Sequence, residues 1–472
     1  MSRPLLRPDL SPLRGSRNYR AVFASRTVAM LGSQAAEVAL LVQAKQLTGS
    51  PLIVGLLGVA ELVPLVVFGL YGGALADRFD RRALMRWCEP GLACCAGLLL
   101  LNALLPHPLV WPLFVVSALM MAFAALQRPA FEAVTPRLVP LDQITAASAL
   151  LSGSQNISVL LGSSLGGVLA VAPGPWLVYA LDAAGFVVSF RLLGRLPKLP
   201  PEPAVPADGY DGAESGAGEP GTGQPGIGQP GQALREILVG LRYAVSRKDL
   251  LGSYLADLSA MIFAYPNALF PFMAVTLHAP WATGLMFAAP SVGAFAVSAT
   301  SGWMSQVRRH GLAIAISAAL WGAAMVGFGL SPDIYVALGF LALAGGADET
   351  SGIFRDTLWK QTIPDHLRGR MAGIELLSYA AGPPAGQLRS GVVASIAGLR
   401  FSLVSGGIAC VAAVGAVCAA LPAFSRYVAS VPSSDVVPAA DSPPSGDTVT
   451  VGDAALAGNA VPVTDAVLVT DA

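Results

Sequence analysis

Charged residues are scarce in this chain of 472 residues. Asp, Glu, Lys and Arg together make up 12% of it, whereas hydrophobic residues make up 54%. A soluble globular domain carries roughly 25% charged residues, so the composition excludes an ordinary soluble fold. The formal net charge is zero. Because there is no basic excess, the overall charge gives no indication of a nucleic-acid partner, and we expect none.

Residue types that perform catalysis or bind metals are also few. The four histidines lie in predicted loops, and the five cysteines lie in apolar runs. The sequence contains no Ser/His/Asp set, no metal-ligand spacing of His and Glu, and no Gly-rich phosphate loop. It therefore predicts neither an enzyme nor an ATP-driven pump, and it predicts no cofactor and no metal site.

Long apolar runs, by contrast, are abundant. A helix needs about 20 predominantly apolar residues to cross the hydrocarbon core of a bilayer. Twelve stretches are predicted to do so, six on each side of a polar segment, and we number them as spans one to twelve. They are residues 21–46, 54–76, 85–105, 110–126, 144–171, 176–193, 250–277, 283–304, 312–330, 334–358, 371–397 and 401–421.

The polar segments divide the chain into five predicted regions. These are a cytoplasmic arm (1–20), an N-terminal six-helix bundle (21–196), a cytoplasmic linker (197–249), a C-terminal six-helix bundle (250–427) and a disordered cytoplasmic tail (428–472). The linker is rich in Pro, Gly, Glu and Gln, and it ends in an amphipathic stretch that is typical of a helix on a membrane surface. Lys and Arg cluster in alternate loops, which predicts that both termini are cytoplasmic.

A short charged stretch lies between spans two and three and reads Gly-Gly-Ala-Leu-Ala-Asp-Arg-Phe-Asp-Arg-Arg from Gly72 to Arg82. So many charges are costly in lipid, so the stretch must face water. It resembles the signature loop of the major facilitator superfamily, and the matching residues are Gly73, Leu75, Ala76, Asp77, Arg78, Arg81 and Arg82. The resemblance implies that Asp77 faces the start of span eleven and helps to close the cytoplasmic side. The alternative is a loop that only sets orientation.

Small residues and prolines recur at two further places. Span five contains Gly162, Gly166 and Gly167, which would let it pack closely against a neighbouring helix. Span eleven contains Pro383, Pro384 and Gly386, and paired prolines interrupt a helical hydrogen-bond ladder and predict a bend. The stretch around them resembles the enterobactin-exporter-like branch of the same superfamily. That resemblance implies an all-α integral membrane fold, with twelve transmembrane helices in two six-helix bundles that work by alternating access.

Ionisable residues inside spans are expensive and therefore candidates for function. Those noted here are Arg26, Glu37, Glu61, Asp182, Asp257, Asp348, Glu349, Glu375 and Arg389. In the superfamily, spans one, two, four, five, seven, eight, ten and eleven line the central cavity. The resemblance therefore favours five carboxylates over Asp182 for proton coupling or substrate binding, namely Glu37, Glu61, Asp257, Asp348 and Glu349. Alternatively, each is neutral, paired or close enough to the interface to reach water.

The predicted function is a secondary active transporter in the plasma membrane of a bacterium, of the multi-pass, inner-membrane type. It would export a small organic molecule, siderophore or drug-like and amphipathic, in exchange for protons. The expected partners are the lipid bilayer, this substrate and protons, and the expected state is a monomer. An importer or uniporter of the same fold stays open, as does a membrane sensor that transports nothing.

Overall fold

Long α-helices dominate a computed structural model of the protein. The structure describes residues 9–198, 242–363 and 368–428, and of these it does not describe the side chains of 70–78, 305 and 368–381. Within these ranges no strand is present. Twelve helices have 17 residues or more, and we number them α1 to α12. They are Arg17–Thr48, Pro51–Arg78, Arg81–Leu104, Trp111–Leu138, Ile144–Val171, Pro175–Leu193, Lys248–Ala264, Thr283–Ala299, His310–Leu330, Ile334–Thr362, Arg368–Ala397 and Leu399–Ala420.

The ends of several helices follow from single polar residues. Ser16 and Asp80 cap α1 and α3, because their side-chain oxygens accept hydrogen bonds from backbone amides three residues on, at 3.1 and 3.2 Å. Asp333 accepts from two amides at the start of α10 in the same way. Gly49 ends α1 with a φ of +62°, which favours glycine at that position. These caps satisfy backbone groups that helix ends would otherwise leave unpaired.

Ten helical segments are long and apolar enough to cross a membrane, counted over the described ranges. The two remaining helices, α10 and α11, have 29 and 30 residues. Both exceed the spanning length; α10 carries several charged residues, which lower its mean hydropathy, and the side chains of α11 are described only from residue 382 onwards. Ten of the twelve predicted spans are therefore supported by length and apolarity within the described residues.

Span seven corrects one predicted boundary. It was expected as one run from 250 to 277, yet α7 ends at Ala264, and a 3-10 turn at Asn267–Leu269 leads into a short helix, Phe270–Thr276. The physical reason is Pro266, which has no amide hydrogen to donate back along the helix. Span eight is similarly shorter than predicted, because α8 ends at Ala299 and a 3-10 helix follows at Ser301–Gln306.

The break in α7 is supplied with hydrogen-bond donors from two other helices. Arg389 of α11 donates through Nη1 to the carbonyl of Phe263 at 2.5 Å, and Trp321 of α9 donates through Nε1 to the carbonyl of Ala264 at 3.2 Å. Both carbonyls lie at the end of α7, where the helix has no amide left to satisfy them. Arg389 thus has a partner inside the bundle, which makes its place in a membrane span tolerable.

We expect Arg389→Leu to destabilise the protein by about 1–3 kcal/mol, the cost of leaving a buried carbonyl without a donor. Arg389→Lys should recover part of this loss, since an ammonium group can still donate. Thermal unfolding in detergent micelles measures the effect. Arg400→Leu is the matched control, because Arg400 is exposed at the start of α12. Equal unfolding temperatures for the Arg389→Leu and Arg400→Leu variants would contradict the assignment.

The two halves pack in the same order. In the first half, α1 packs against α5 and α6, α2 against α4, and α3 against α4 and α6. In the second half, α7 packs against α11 and α12, α8 against α10, and α9 against α10 and α12. Adding six to each helix number converts the first pattern into the second, as an internal repeat requires. The halves meet where α2 packs against α11 and α5 against α8.

Candidate transport site

The halves touch closely at one end of the bundle, which we name the Gly49 end because Gly49 ends α1 there. We name the opposite end the Asp80 end, after the residue that caps α3. At the Gly49 end, Gly167 of α5 and Gly284 of α8 bring their backbones into direct contact, so that a Cβ on either would collide with the other helix. On the other side of the interface, a Cβ on Gly55 would lie 2.5 Å from the carbonyl oxygen of Gln387. The bundle is therefore closed at the Gly49 end.

A cavity of about 370 Å³ lies within the first half, enclosed by α1, α2, α3, α4 and α6. Its wall is mostly apolar and rich in flexible side chains, which suit irregular ligands. The apolar members include Met30, Leu40, Met120, Met121 and Phe186, and the polar members are Arg26, Ser33, Gln34, Glu37, Glu61, Ser117, Gln127 and Arg128. Such a wall can bury an amphipathic molecule and orient it through a few polar groups.

Three of the five favoured carboxylates come together beside this cavity. Glu37 of α1 and Glu61 of α2 lie close enough to interact electrostatically, and Glu61 is hydrogen-bonded to Ser117. The phenol of Tyr265, at the break in α7, interacts with Glu37, Glu61 and Asp348 of α10. Acidic groups from both halves therefore lie within electrostatic range of one tyrosine. Such a cluster can hold a proton or bind a hydrogen-bonding cargo.

The other two favoured carboxylates are engaged elsewhere. Glu349 accepts a hydrogen bond from the Ser298 hydroxyl of α8 at 2.7 Å, although it remains in electrostatic contact with its neighbour Asp348. Asp257 of α7 forms an ion pair with Arg355 of α10, and both side chains are buried. Asp257 is thus paired rather than open to the cavity, as the alternative reading of the sequence allowed.

We expect Arg355→Leu to destabilise the protein by about 3–5 kcal/mol, because it leaves the buried Asp257 carboxylate without its counter-charge. The double variant Asp257→Leu/Arg355→Leu should be more stable than the single variant, since it removes both charges. Chemical denaturation in detergent measures the difference. Asp356→Asn provides the control on the same helix, because the pair of Asp356 with Lys360 is exposed and its loss should change stability by about 1 kcal/mol or less. A double variant that is less stable to denaturant than the single variant would refute the interpretation.

The signature loop is described only in part. The side chains of Gly73, Asp77 and Arg78 lie outside the described residues, so the proposed contact of Asp77 with span eleven stays a prediction. Arg81 donates to the carbonyl of Ala133 at 3.2 Å, and Arg82 donates to that of Gly194 at 2.7 Å. These two arginines therefore connect the start of α3 to the ends of α4 and α6.

The small residues of α5 face other helices at short distances. A Cβ on Gly162 would lie 2.7 Å from the carbonyl oxygen of Leu31, and one on Gly166 would lie 2.5 Å from that of Ala35, both in α1. In α11, a Cβ on Gly386 would collide with the Met261 carbonyl of α7. Pro383 and Pro384 lie inside α11, which the structure describes as one continuous helix.

Three residues with a place in this geometry escaped the sequence reasoning. Glu89, Lys45 and Arg355 lie within predicted spans, so the rule that flagged Glu37 applies equally to them. For Tyr265 in span seven, the sequence favours a packing role over contact with the cargo, and the structure places its phenol within electrostatic range of the acids. Lys45 lies over the ring of Phe272 with 5.8 Å between the ammonium nitrogen and the ring centroid, and it links α1 to the short helix at the Gly49 end.

Two similarly packed halves of membrane-spanning helices, with a mixed polar and apolar cavity beside their contact, define a multi-pass membrane transporter. The fold is that of solved membrane transporters, and the expected all-α integral membrane fold is confirmed. Residues 8–216 match the family described as transmembrane secretion effector. This match includes the signature loop, so the resemblance seen there is confirmed over residues 8–216.

The relatives among characterised proteins are exporters. The chain is 29% identical over 411 residues to the enterobactin exporter EntS of Citrobacter koseri, covering 84% of this chain and 90% of that protein. It is 28% identical over 377 residues to the enterobactin exporter EntS of Shigella flexneri, covering 78% and 82%. These names describe transporters rather than enzymes.

Solved structures share the fold at low sequence identity. The nucleoside transporter NupG matches with a TM-score of 0.69 at 11% identity, over 85% of this chain and 99% of that one. A bacterial homologue of the human lysosomal transporter Spinster matches with a TM-score of 0.65 at 15% identity, over 88% and 99%.

Proposed function

We propose that this protein exports a small, amphipathic organic molecule, of siderophore or drug-like type, across a bacterial inner membrane in exchange for protons. The observation that carries the proposal is that Glu37 and Glu61 of one half line the cavity and lie within electrostatic range of Tyr265 of the other half, as Asp348 does. When the two halves tilt relative to each other, acidic groups at their interface change their surroundings. Coupling by alternating access requires such a change.

The chemistry of the cavity supports the cargo class. Its methionines and aromatic rings offer a flexible apolar surface, while Arg26, Gln34 and Gln127 offer donors to oxygen-rich groups. A sugar would require a wall with more polar groups than this one has. The relatives named enterobactin exporters support both a siderophore as cargo and the outward direction.

The coupling role falls to Glu61 with Glu37. Both face the cavity, Glu37 exposed and Glu61 half-buried, and a carboxyl beside an apolar wall is costly to ionise unless a cation or several donors face it. Glu61 has Ser117 as a hydrogen-bond partner and the acidic Glu37 as a neighbour. A proton on this pair would leave when cargo enters and return after cargo is released, which is the exchange that antiport requires.

The proposed orientation places the Gly49 end outside and the Asp80 end, both termini and the linker in the cytoplasm. The charge alternation of the loops supports this orientation. The closed Gly49 end then corresponds to a cavity shut towards the outside. We further propose that one chain forms the functional unit, with bundles at 21–196 and 250–427, because a single chain supplies both halves that alternating access requires.

Inverted membrane vesicles from cells that overproduce the protein test the function, with enterobactin and ethidium as probes. An exporter that exchanges cargo for protons accumulates a probe only when the vesicle lumen is acidic, and nigericin abolishes the accumulation. Uptake that equilibrates without a pH gradient would instead indicate a uniporter, and uptake confined to right-side-out vesicles an importer. A sensor would move neither probe. Epitope tags at both termini that antibodies reach only in inverted vesicles would support the orientation.

A further inference from the structure

A second group of acids lies outside the site described above. Glu89 of α3 is 1% exposed and Asp182 of α6 is 0% exposed, and the two interact electrostatically. They lie behind the wall of the cavity rather than in it. Gln127 of α4 connects the two regions, since it lines the cavity and its Nε2 donates to Glu89 at 2.7 Å.

The surroundings of the two carboxyls are neutral. Neither carboxylate oxygen of Asp182 has a hydrogen-bond partner. The groups that face the pair are Cys88, Tyr179, Gln127, Ser189 and the backbone of Gly32. Within the part of the chain that the structure describes, no Lys, Arg or His pairs with either acid.

Burial without a counter-charge determines the protonation state of these two acids. An ionised carboxylate in an apolar interior is far more expensive than a neutral carboxyl, and two neighbouring acids cannot both ionise cheaply. Asp182, with no donor at all, has the stronger reason to keep its proton. Glu89 differs because the Gln127 amide can stabilise its charge from the side of the cavity.

We propose that Glu89 and Asp182 form a proton-binding site on the flank of the first half, which exchanges its proton with the cavity through Gln127. In the exchange, a water molecule that enters from the cavity beside Gln127 accepts the proton of the Glu89 carboxyl. The carboxylate left behind accepts the hydrogen bond from Gln127 Nε2, while Asp182 stays protonated. This inference rests on the proposed coupling to protons, but it assigns a proton to residues separate from Glu37 and Glu61.

Infrared difference spectroscopy tests the protonation without any cargo. In the purified wild-type protein in lipid at neutral pH, we expect two infrared bands from the carbonyl stretches of protonated carboxylic acids. One band should be absent from the Glu89→Gln variant, and the other should be absent from the Asp182→Asn variant. Glu132→Gln is the control, because the Glu132 carboxylate is exposed and paired with Arg128. In D₂O, Gln127→Leu should slow deuterium exchange of the Glu89 carboxyl by tenfold or more. Absence of both bands from the wild-type protein, or unchanged exchange in Gln127→Leu, would overturn the proposal.

Transport measurements separate this proposal from the function on which it rests. In inverted vesicles with ethidium, Glu89→Gln should flatten the dependence of the uptake rate on luminal pH, while Glu132→Gln should keep it. A Glu89→Gln profile that matches the wild type would refute a coupled proton, and so would uptake that depends on sodium at constant pH. If no probe is transported at all, the proposed function fails, whereas the infrared bands still decide the protonation. Monodisperse elution of each variant in detergent establishes that it is folded.

Discussion

Replacing Glu61 with Gln is expected to reduce uptake driven by a pH gradient by roughly 5- to 150-fold, the range of coupling free energies of 1–3 kcal/mol. The amide keeps the shape of the side chain and its contact with Ser117, but it cannot take up and release a proton. Cargo binding should therefore survive, because the volume and the apolar wall of the cavity are unchanged. Glu37→Gln should act in the same direction through its electrostatic contact with Glu61.

The measurement is the initial rate of ethidium uptake into inverted vesicles, with and without an acidic lumen. Fluorescence anisotropy of ethidium with the purified variant then measures whether cargo binding survives. Glu132→Gln is the matched control, because it removes a carboxylate of the same type from an exposed position on α4. If Glu61→Gln retained the full response to the gradient, Glu61 would not carry the proton, and the coupling would have to lie elsewhere.

Replacing Gly167 with Val is expected to abolish transport by preventing closure of the Gly49 end. The backbones of α5 and α8 meet at Gly167 and Gly284, so a side chain at either position must push the halves apart. No flexible side chain is present there to absorb the added volume. Gly284→Val should have the same effect from the other helix.

The control variant is Gly153→Val on the same helix, where a Cβ would meet no other atom within 4 Å. Accessibility can be followed with Leu40→Cys in a background that lacks the five native cysteines, because Leu40 lines the cavity and is 5% exposed. In intact cells, a membrane-impermeant maleimide should label this cysteine rapidly in the Gly167→Val variant and slowly in the Gly153→Val variant. Equal labelling rates in the two variants would contradict a closed Gly49 end at this contact.

The fold was largely accessible from the sequence because lipid imposes a simple requirement. A run of apolar residues long enough to cross the bilayer must be helical, so six runs on each side of a polar linker predict the helix number. The signature loop then supplied the family. What hydropathy could not give was the break in α7, since Tyr265 and Pro266 lie within a run that is apolar throughout. The donors that make the break tolerable, Arg389 and Trp321, come from helices distant in sequence.

The candidate site was predictable in part. The cost of charge in lipid drew notice to Glu37, Glu61 and Asp348, each of which interacts electrostatically with Tyr265. The same rule could not distinguish them from Asp257, whose partner Arg355 lies about one hundred residues further along the chain. Pairing depends on which helices pack together, and the composition of a single span carries no information about its neighbours.

The division of α7 has a consequence for how cargo leaves. Bending an intact helix breaks backbone hydrogen bonds in the middle of a membrane, whereas a helix that is already interrupted can pivot without breaking any. The segment up to Ala264 is fastened to α9 and α11, while Phe272 in the short segment beyond contacts Lys45 of α1. Releasing this contact, together with the edge-on contacts of Phe270 with Phe287 of α8 and Phe328 of α9, would free the short segment as a small flap while the rest of the half stays rigid. A bulky molecule could then pass through an opening wider than the tilt of two stiff bundles alone provides.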